Sequence, residues 1–336
     1  MDEELENKPN STNHVYIGTD TGYLKGIQFT SIGAKIQNFK LYRKLDQNNA
    51  VTALAWRDEA ENEIYVGHRD STVSLFDTRF GKSIFRHRPK RGSGKVVSII
   101  NTKGNVLVGL ESGHICSLLK CPRKELIAID TLHRVKASFR DKPKLSVVKT
   151  HPDHSARLAT GGCENDLKIW DLENTKKPIF SAKNVPHDPL NLRQPVWVSD
   201  LTFLEDGTVV VASRHKYVRL YDPRVRRRPM LTYKYEDSPL TTVTPAYSHE
   251  RQVVLGTAHG RVALFDLRTK HQVRAPVVFK GISGAVKQVA SLASAPSLVY
   301  SVALDRYVRL HCLTTRHTLH QEYVKSRPMK ILVRSS

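Results

Sequence analysis

The chain has 336 residues, and its 53 Lys and Arg against 32 Asp and Glu give a formal net charge of +21. A charge this positive favours polyanionic partners, nucleic acid being the commonest inside cells, with a merely solvated basic surface as the alternative. No apolar stretch approaches the roughly 18 to 20 residues of a membrane helix, which predicts a soluble protein without membrane contact.

The first predicted element is an apolar run that ends at Gly18, and similar runs recur along the chain. They end at Gly18, Gly67, Gly109, Gly161, Ala212, Gly256 and Val302. Five of them are followed, after a polar turn, by a branched, a variable, an aliphatic and a ring residue. These second runs are 73–76, 167–170, 218–221, 262–265 and 308–311. The period-two alternation predicts antiparallel hairpins, with Asn165 and Asp166 in the turn of the fourth.

Another apolar run precedes each hairpin after the first, and a more polar one follows each hairpin. The preceding runs start at Val51, Val96, Leu145, Val198, Leu240 and Val286. Each unit therefore reads as four strands, a to d. The runs' ends lie 42 to 52 residues apart, slightly above the roughly 40 to 45 residues of a WD-type blade. The pattern predicts an all-β, seven-bladed WD-type β-propeller in one domain, 13–334, after a flexible acidic N-terminus, 1–12.

The first unit begins at strand b, so its inner strand a must come from elsewhere. Met329–Val333 is an apolar run after the last unit, and we expect it to complete blade one and close the ring. In such a ring the aromatic residue that ends strand c, such as Trp170, is expected to pack against the next blade. Asp166, Trp170 and Asp171 are thus predicted to mark the fold rather than a site.

Loop assignment predicts where the positive charge lies. The d-to-a and b-to-c connections of a propeller emerge on one face, here named the upper face, and the other connections emerge on the lower face. Upper-face candidates for binding RNA or a partner are Arg86, Arg88, Lys90, Arg91, Arg134, Lys136, Arg140, Lys142, Lys144, Arg193 and Lys216. Arg226, Arg227 and Arg228 lie in a c-to-d connection, which predicts the opposite face or the rim, and also resemble a nuclear-import signal. Few aromatic residues interleave with these cations, which favours contact with the backbone of structured RNA, or with an acidic protein, over base stacking.

No constellation of catalytic or metal-binding residues is recognisable. Gly81–Ser83 and Gly92–Lys95 resemble ends of a phosphate-binding loop, but both lack required glycines and lead into strands. The sequence contains no GxSxG or HExxH motif, and its histidines lack ligand spacing. The four cysteines are expected to be free thiols in a reducing compartment. These observations predict a protein that is not an enzyme and needs no cofactor or metal.

Several stretches resemble a known family of WD-repeat proteins: the nucleolar assembly factors that include WD repeat-containing protein seventy-four and the fungal Nop-seven-associated protein. The similar stretches are 13–26, 159–172, 178–197, 218–229, 304–311 and 317–333. The long d-to-a loop Lys183–Trp197 is the most specific of them, because a propeller does not need it.

The resemblance implies a non-catalytic scaffold in biogenesis of the large (60S) ribosomal subunit. Such a factor would act in the nucleolus of the nucleus, as a monomer within a larger complex, and support processing of precursor ribosomal RNA. Its implied partners are the pre-60S particle with its RNA and assembly factors, the AAA-type ATPase that releases it, and the helicase of the nuclear exosome.

A second interpretation is a substrate receptor of a cullin-type ubiquitin ligase. Three units end in a ring residue followed by Asp-x-Arg, at Phe76–Arg79, Tyr221–Arg224 and Phe265–Arg268. This pattern resembles the box of WD proteins that bind a cullin-ligase adaptor. The net charge and the loop Lys183–Trp197 have no role in that interpretation, which makes it the weaker of the two.

Overall fold

The strands of the chain are grouped in seven four-stranded antiparallel sheets, or blades, whose inner strands line a central channel. The computed structural model describes residues 14–30, 33–42, 46–102, 105–119, 127–129, 144–235, 238–268 and 277–335. The prediction for the N-terminus, 1–12, lies outside these residues. The seven-bladed all-β architecture predicted from the repeats is confirmed.

The first four blades follow one another along the chain. Blade 1 contains β1 (Val15–Thr19), β2 (Tyr23–Thr30) and β3 (Gly33–Lys40). After a 3-10 helix, Gln47–Asn49, blade 2 contains β4 (Val51–Trp56), β5 (Glu63–His68), β6 (Val73–Asp77) and β7 (Lys82–His87). Blade 3 contains β8 (Val96–Asn101), β9 (Asn105–Leu110), β10 (Ile115–Leu119) and β11 (Ile127–Ile129). Blade 4 contains β12 (Lys144–Thr150), β13 (Arg157–Cys163), β14 (Asn165–Asp171) and β15 (Phe180–Ser181).

The remaining blades repeat the same order. Blade 5 contains β16 (Val198–Phe203), β17 (Val209–Ser213), β18 (Tyr217–Tyr221) and β19 (Leu231–Lys234). Blade 6 contains β20 (Leu240–Pro245), β21 (Gln252–Thr257), β22 (Val262–Asp266) and β23 (Val277–Phe279). Blade 7 contains β24 (Val286–Ser291), β25 (Leu298–Ala303), β26 (Tyr307–Cys312) and β27 (Thr318–Tyr323). The last strand, β28 (Pro328–Val333), belongs to blade 1.

The chain ends close the ring as predicted. Strand β28 pairs antiparallel with β1, with Val15 opposite Val333 and Gly18 opposite Lys330. The Trp56 indole of blade 2 donates a hydrogen bond to the Val333 carbonyl at 3.0 Å. The segment after β28 is also fixed, because the buried Glu61 carboxylate accepts hydrogen bonds from the Ser335 amide and hydroxyl. The closing segment is thus held both by β1 of its own blade and by residues of blade 2.

In five of the seven blades, a glycine in strand b brings neighbouring blades close together. A Cβ atom at Gly67 would lie 2.5 Å from Val96, the first residue of the following blade's strand a, and one at Gly161 would lie 2.7 Å from Val198. Gly18 faces Val51 in the same way. Such distances are well inside van der Waals contact, so the recurrent small residue of the sequence pattern is a packing requirement.

The ring residues that end strand c pack against the preceding blade, so the prediction that they contact the next blade is wrong. The ring centroids of Phe76 and Phe39 are 5.0 Å apart, and those of Phe265 and Tyr233 are also 5.0 Å apart. The reason is the alternation of side chains along a strand. Phe76 pairs with Ile64, which lies three residues from Gly67 and therefore on the other face of β5.

The turn of the fourth hairpin is also shorter than predicted. Asn165 already belongs to β14, and Glu164 alone has a positive φ, of 47°. Two contacts with the loop before β16 hold Glu164 in this conformation: its amide donates to the Val196 carbonyl at 2.9 Å, and its carboxylate binds Arg193 at 2.7 Å. The turn is therefore stabilised by contacts with a neighbouring loop rather than by an Asn or Asp side chain within the turn.

Cysteines and membrane spans can be assessed only within the described residues. There Cys116, Cys163 and Cys312 are free thiols, whereas Cys121 lies outside them. No helix in the described ranges is long and apolar enough to cross a membrane.

Two histidines are buried between strands and are neutral at pH 7. His68 is hydrogen-bonded to the Asn49 carbonyl at 3.1 Å and to the Ser74 hydroxyl at 2.8 Å. His311 is hydrogen-bonded to the Ser301 and Thr318 hydroxyls at 2.8 and 3.0 Å. Burial lowers the pKa of each imidazole to about 4.

We expect Gly109→Ala to destabilise the protein by about 1 to 3 kcal/mol, because the new Cβ would overpack the contact between blades 3 and 4. That Cβ would lie 2.9 Å from Val148 Cγ2, with Leu145 next at 3.5 Å. In the double variant with Val148→Ala the clash is removed, so urea unfolding should give less than the sum of the two single effects, by roughly 0.5 kcal/mol or more. Strict additivity would contradict the packing argument.

Stability should fall as the pH is lowered from 7 to 5. In this window the unfolded chain binds protons at histidine, whose ordinary pKa is about 6.5, while folded His68 and His311 stay neutral. Each should cost about 2 kcal/mol of unfolding free energy by pH 5. The variant His311→Phe with Ser301→Ala, measured by urea unfolding at both pH values, should lose about that much of the decrease. An unchanged pH dependence would be inconsistent with a neutral buried His311.

Candidate functional site

The upper face is rich in exposed cations contributed by several blades. They are Arg69, Arg88, Lys90, Arg91, Lys95, Lys144, Lys183, Arg193, Arg214, Arg261, Lys280, Arg306, Lys325 and Arg327. Carboxylates on the same face are used within their own turns: Asp70 accepts hydrogen bonds from the Thr72 amide and hydroxyl, and Asp305 pairs with the buried Arg309 at 2.6 Å. The free surface of this face is therefore dominated by positive charge.

Three of the predicted residues lie together on this face. Arg88, Lys90 and Arg91 are exposed in the connection between β7 and β8. Arg86 belongs to β7 rather than to the loop, and its guanidinium lies 3.7 Å from the centroid of the Tyr42 ring. The triplet is thus exposed on the upper face, and Arg86 holds blade 2 against the preceding connection.

The other predicted upper-face residues have different surroundings. Lys144 is the first residue of β12 and lines the mouth of the channel. Arg193 is paired with Glu164 at 2.7 Å, and Lys216 has a positive φ, of 72°, in the turn between β17 and β18. Four further predicted residues lie outside the described part of the chain: Arg134, Lys136, Arg140 and Lys142.

The arginine run of blade 5 lies at the outer rim, between blades 4 and 5. The Arg227 guanidinium donates to the Ser181 carbonyl of β15 at 2.7 Å, and its own carbonyl accepts from the Lys183 amide at 2.9 Å. Arg226 donates to the carbonyls of Pro229 and Met230. Arg226, Arg227 and Arg228 remain exposed, but they are separate from the triplet on the upper face.

The three predicted marker residues have structural contacts. Trp170 is buried, and its indole donates to Thr160 at 3.0 Å. Asp171 accepts a hydrogen bond from the Glu173 amide at 2.9 Å. Asp166 lies beside the buried Arg219, and burial raises the pKa of its carboxyl although the arginine acts to lower it. No group of side chains that could hold a metal ion lies within the described residues.

The arginines of the three Asp-x-Arg units are bound by their own aspartates. Arg79 pairs with Asp77 at 2.9 Å, and Arg224 pairs with Asp222 at 3.1 Å. Arg268 and Asp266 form the same contact at 3.3 Å. Each aspartate also accepts a hydrogen bond from the arginine's backbone amide. The pattern therefore stabilises a turn on the lower face, which accounts for its recurrence.

Sequence reasoning missed a group of lysines inside the channel. Lys149, Lys287 and Lys330 belong to the inner strands β12, β24 and β28 and line the channel with Asp200. Asp200 binds Lys149 at 3.1 Å and accepts a hydrogen bond from Thr242 at 2.9 Å. The available signal was the position of each lysine within an apolar inner strand, because in a closed ring the polar residues of strand a face the axis.

The loop Lys183–Trp197 presents two leucines to solvent. Leu190 and Leu192 are 79% and 60% exposed. The Asp188 carboxylate accepts hydrogen bonds from both of their amides, at 3.0 and 2.8 Å, and Asn191 has a positive φ, of 59°. The loop tip is therefore held in one conformation by its own backbone bonds, with apolar side chains directed away from a core.

A buried arginine anchors the base of this loop. Arg219 of β18 is 4% exposed, and its guanidinium donates to the side chains of Asn184 and Gln194, both at 3.4 Å. The Asn184 amide in turn donates to the Gln194 carbonyl at 2.7 Å, which joins the two ends of the loop. The loop thus depends on a cation from the neighbouring blade.

Seven antiparallel sheets around a channel, closed by pairing of the two ends of the chain, define a WD-type β-propeller. No protein-family model matches the chain. WD repeat-containing protein 74 of Bos taurus is 36% identical over 317 residues, which cover 94% of this chain and 79% of the bovine protein. The Homo sapiens protein of that name is 36% identical over 322 residues with the same coverage. The chain belongs to the WD repeat-containing protein 74 family, which confirms the resemblance seen in the sequence.

Two further similarities are to a yeast protein and to a solved structure. Ribosome biogenesis protein nsa1 of Schizosaccharomyces pombe is 29% identical over 221 residues, which cover 56% of this chain and 55% of the yeast protein. The crystal structure of the computationally designed Ika8 protein superposes with a TM-score of 0.64 at 15% identity, over 94% of this chain and 86% of that one. The second similarity concerns the fold alone.

We expect Arg219→Met to release the loop Lys183–Trp197. Limited digestion with chymotrypsin should then cut after Leu190 or Leu192, because the loop base loses the hydrogen bonds to Asn184 and Gln194. Arg309→Met is the matched control, since Arg309 has the equivalent place in β26 of blade 7 and pairs with Asp305 instead. Equal cleavage of the loop in both variants would mean that Arg219 has no specific anchoring role.

Proposed function

We propose that this protein is a non-catalytic WD-repeat scaffold in biogenesis of the large ribosomal subunit. It would bind pre-60S particles through its upper face and support processing of precursor ribosomal RNA. The observation that carries the proposal is the exposed triplet Arg88, Lys90 and Arg91 on a face whose carboxylates are largely used internally. The family membership and the name of the similar yeast protein support the same process.

The upper face supports contact with the phosphate backbone rather than with bases. Cations from several blades spread over this face, and a scaffold that neutralises phosphates gains affinity from released counterions without reading sequence. The exposed leucines of the loop Lys183–Trp197 supply a second kind of contact, because an ordered apolar tip fits a hydrophobic groove on a neighbouring assembly factor. One face would thus join RNA and protein components.

The finer features of the proposal follow from the family resemblance. The protein would work in the nucleolus, be released from the particle by an AAA-type ATPase, and associate with the helicase of the nuclear exosome. The arginine run at the rim, Arg226, Arg227 and Arg228, is exposed enough for recognition as a nuclear-import signal. A scaffold role needs no reacting groups, in keeping with the structural contacts of the histidines and acids described above.

The role of cullin-ligase substrate receptor is disfavoured by the arginines on which it rests. Arg79, Arg224 and Arg268 are bound by aspartates two residues earlier, so their recurrence has a local structural cause. That role also leaves the charge of +21 unexplained.

The test is tagged purification at moderate salt, with sequencing of bound RNA and mass spectrometry of partners. In the variant Arg88→Glu, Lys90→Glu and Arg91→Glu we expect large-subunit precursors to be lost. Arg226→Glu, Arg227→Glu and Arg228→Glu form the matched control, because they make the same change in net charge at the rim. Every tagged chain carries an added nuclear-import signal, since the rim run is itself a candidate for one. For RNA binding in vitro, the upper-face variant should lower the slope of log affinity against log salt by roughly 2 to 3.

Each other outcome identifies which part of the proposal fails. Precursors that the upper-face variant retains would exclude the triplet as the main contact. Leu190→Ser with Leu192→Ser would then show whether the loop carries the association instead. A cullin adaptor recovered in place of ribosomal precursors, or no precursors with the wild type, would overturn the ribosomal role itself.

A further inference from the structure

A cavity at the upper mouth of the channel brings four cations together. Its volume is about 480 Å³, and Lys95, Lys144, Arg214 and Lys287 line it. Lys144 and Lys287 belong to blades 4 and 7, Lys95 directly precedes β8 of blade 3, and Arg214 directly follows β17 of blade 5. The cluster therefore exists only in the closed ring. Glu111 is the only carboxylate among the described lining residues.

The lysines of this cavity lack carboxylate partners in the part of the chain that the structure describes. In the described ranges Lys95, Lys144 and Lys287 have no ion-pair partner, and Arg214 lies 5.3 Å from the centroid of the Trp197 ring. The pKa of Lys287 is lowered, first by burial and then by the nearby charges of Arg214 and Lys95. An anion placed among these groups would relieve their mutual repulsion.

The positive charge continues below the cavity into the channel. There Lys287 and Lys330 share the lining with Lys149 and Asp200, and Asp200 is already bound by Lys149. Burial lowers the pKa of Lys330; Asp200 acts to raise it, and the neighbouring lysines act to lower it. Positive charge therefore continues from the cavity toward the channel axis. This favours a ligand that carries its negative charge at the end of a narrow side chain.

We propose that the channel mouth binds an acidic segment of a protein partner, with one or more Glu or Asp side chains entering the cavity. A carboxylate on a short aliphatic stem can reach cations that converge inside a narrow opening, and its stem can pack on Trp197, which is 37% exposed. A polynucleotide brings a ribose and a base with every phosphate, and Trp197 is the only aromatic side chain among the described lining residues. RNA suits the open triplet of the upper face better than this cavity.

The proposal does not depend on the ribosomal role. It adds a site for a protein ligand at the axis. Lys95 at the end of the β7–β8 connection belongs to this site, whereas Arg88, Lys90 and Arg91 of the same connection do not line the cavity. Such an arrangement would let one face hold RNA at its periphery and an acidic segment at its centre.

The test uses a fluorescein-labelled peptide of six glutamates, measured by fluorescence anisotropy with the full chain. Lys95→Gln with Lys287→Met should weaken binding at least tenfold. Arg226→Gln with Arg227→Gln, which removes the same charge at the rim, should change binding less than threefold. Lys287→Arg, which keeps the charge, should retain binding, and thermal melting should show that all variants are folded.

The Trp197 indole reports where the ligand lies. Unlabelled peptide should change tryptophan emission in the wild type but not in Trp197→Phe, whereas a six-residue uridine oligonucleotide should cause little change. A stronger emission change with the oligonucleotide, lost with Lys287→Met, would make the cavity an RNA site and overturn the proposal. Equal weakening of peptide binding by the channel and rim variants, or no change in tryptophan emission, would mean that the peptide binds by non-specific charge attraction. Either result would also overturn the proposal.

Discussion

The close contact between a strand-b glycine and the valine that opens the following blade determines how this propeller is built. Where Gly67 meets Val96 and Gly161 meets Val198, a Cβ atom would not fit. Because that valine is the first residue of its inner strand, the residue just before it is drawn to the channel mouth. Lys95 and Trp197 stand at those positions and line the central cavity. The packing contact therefore also places the charged groups.

Positive charge is left free on the upper face because the negative charge is used to form turns. Asp70, Asp188 and Asp305 each accept backbone hydrogen bonds within their own connections. On the lower face the aspartates instead hold arginines, as Asp222 holds Arg224. The net charge of +21 is a property of the whole chain. How the exposed positive charge is distributed between the faces depends on which loops use an aspartate to accept hydrogen bonds from their backbone amides.

The repeat pattern was sufficient to predict the seven blades and the closing strand, because period-two runs at a regular spacing leave few alternatives. Because side chains alternate between the two faces of a strand, the sequence could also have shown that Phe76 and Gly67 face opposite neighbouring blades. The direction in which the aromatic ring packs was nevertheless predicted wrongly. The turn at Glu164 could not be foreseen, since its backbone is held by Arg193 and Val196 from a distant loop. The lysines of the channel became visible only once the inner strands were arranged around an axis.

Strand β28 closes blade 1 against β1, although almost the whole chain separates them in sequence. Contacts between such distant segments form slowly, because a long loop must be closed before they contribute. Until β28 arrives, β1 presents an unpaired edge that a strand of another molecule could occupy. In crowded surroundings, incomplete chains could therefore pair with one another before β28 has been synthesised. A protective binding partner would be most useful in that interval.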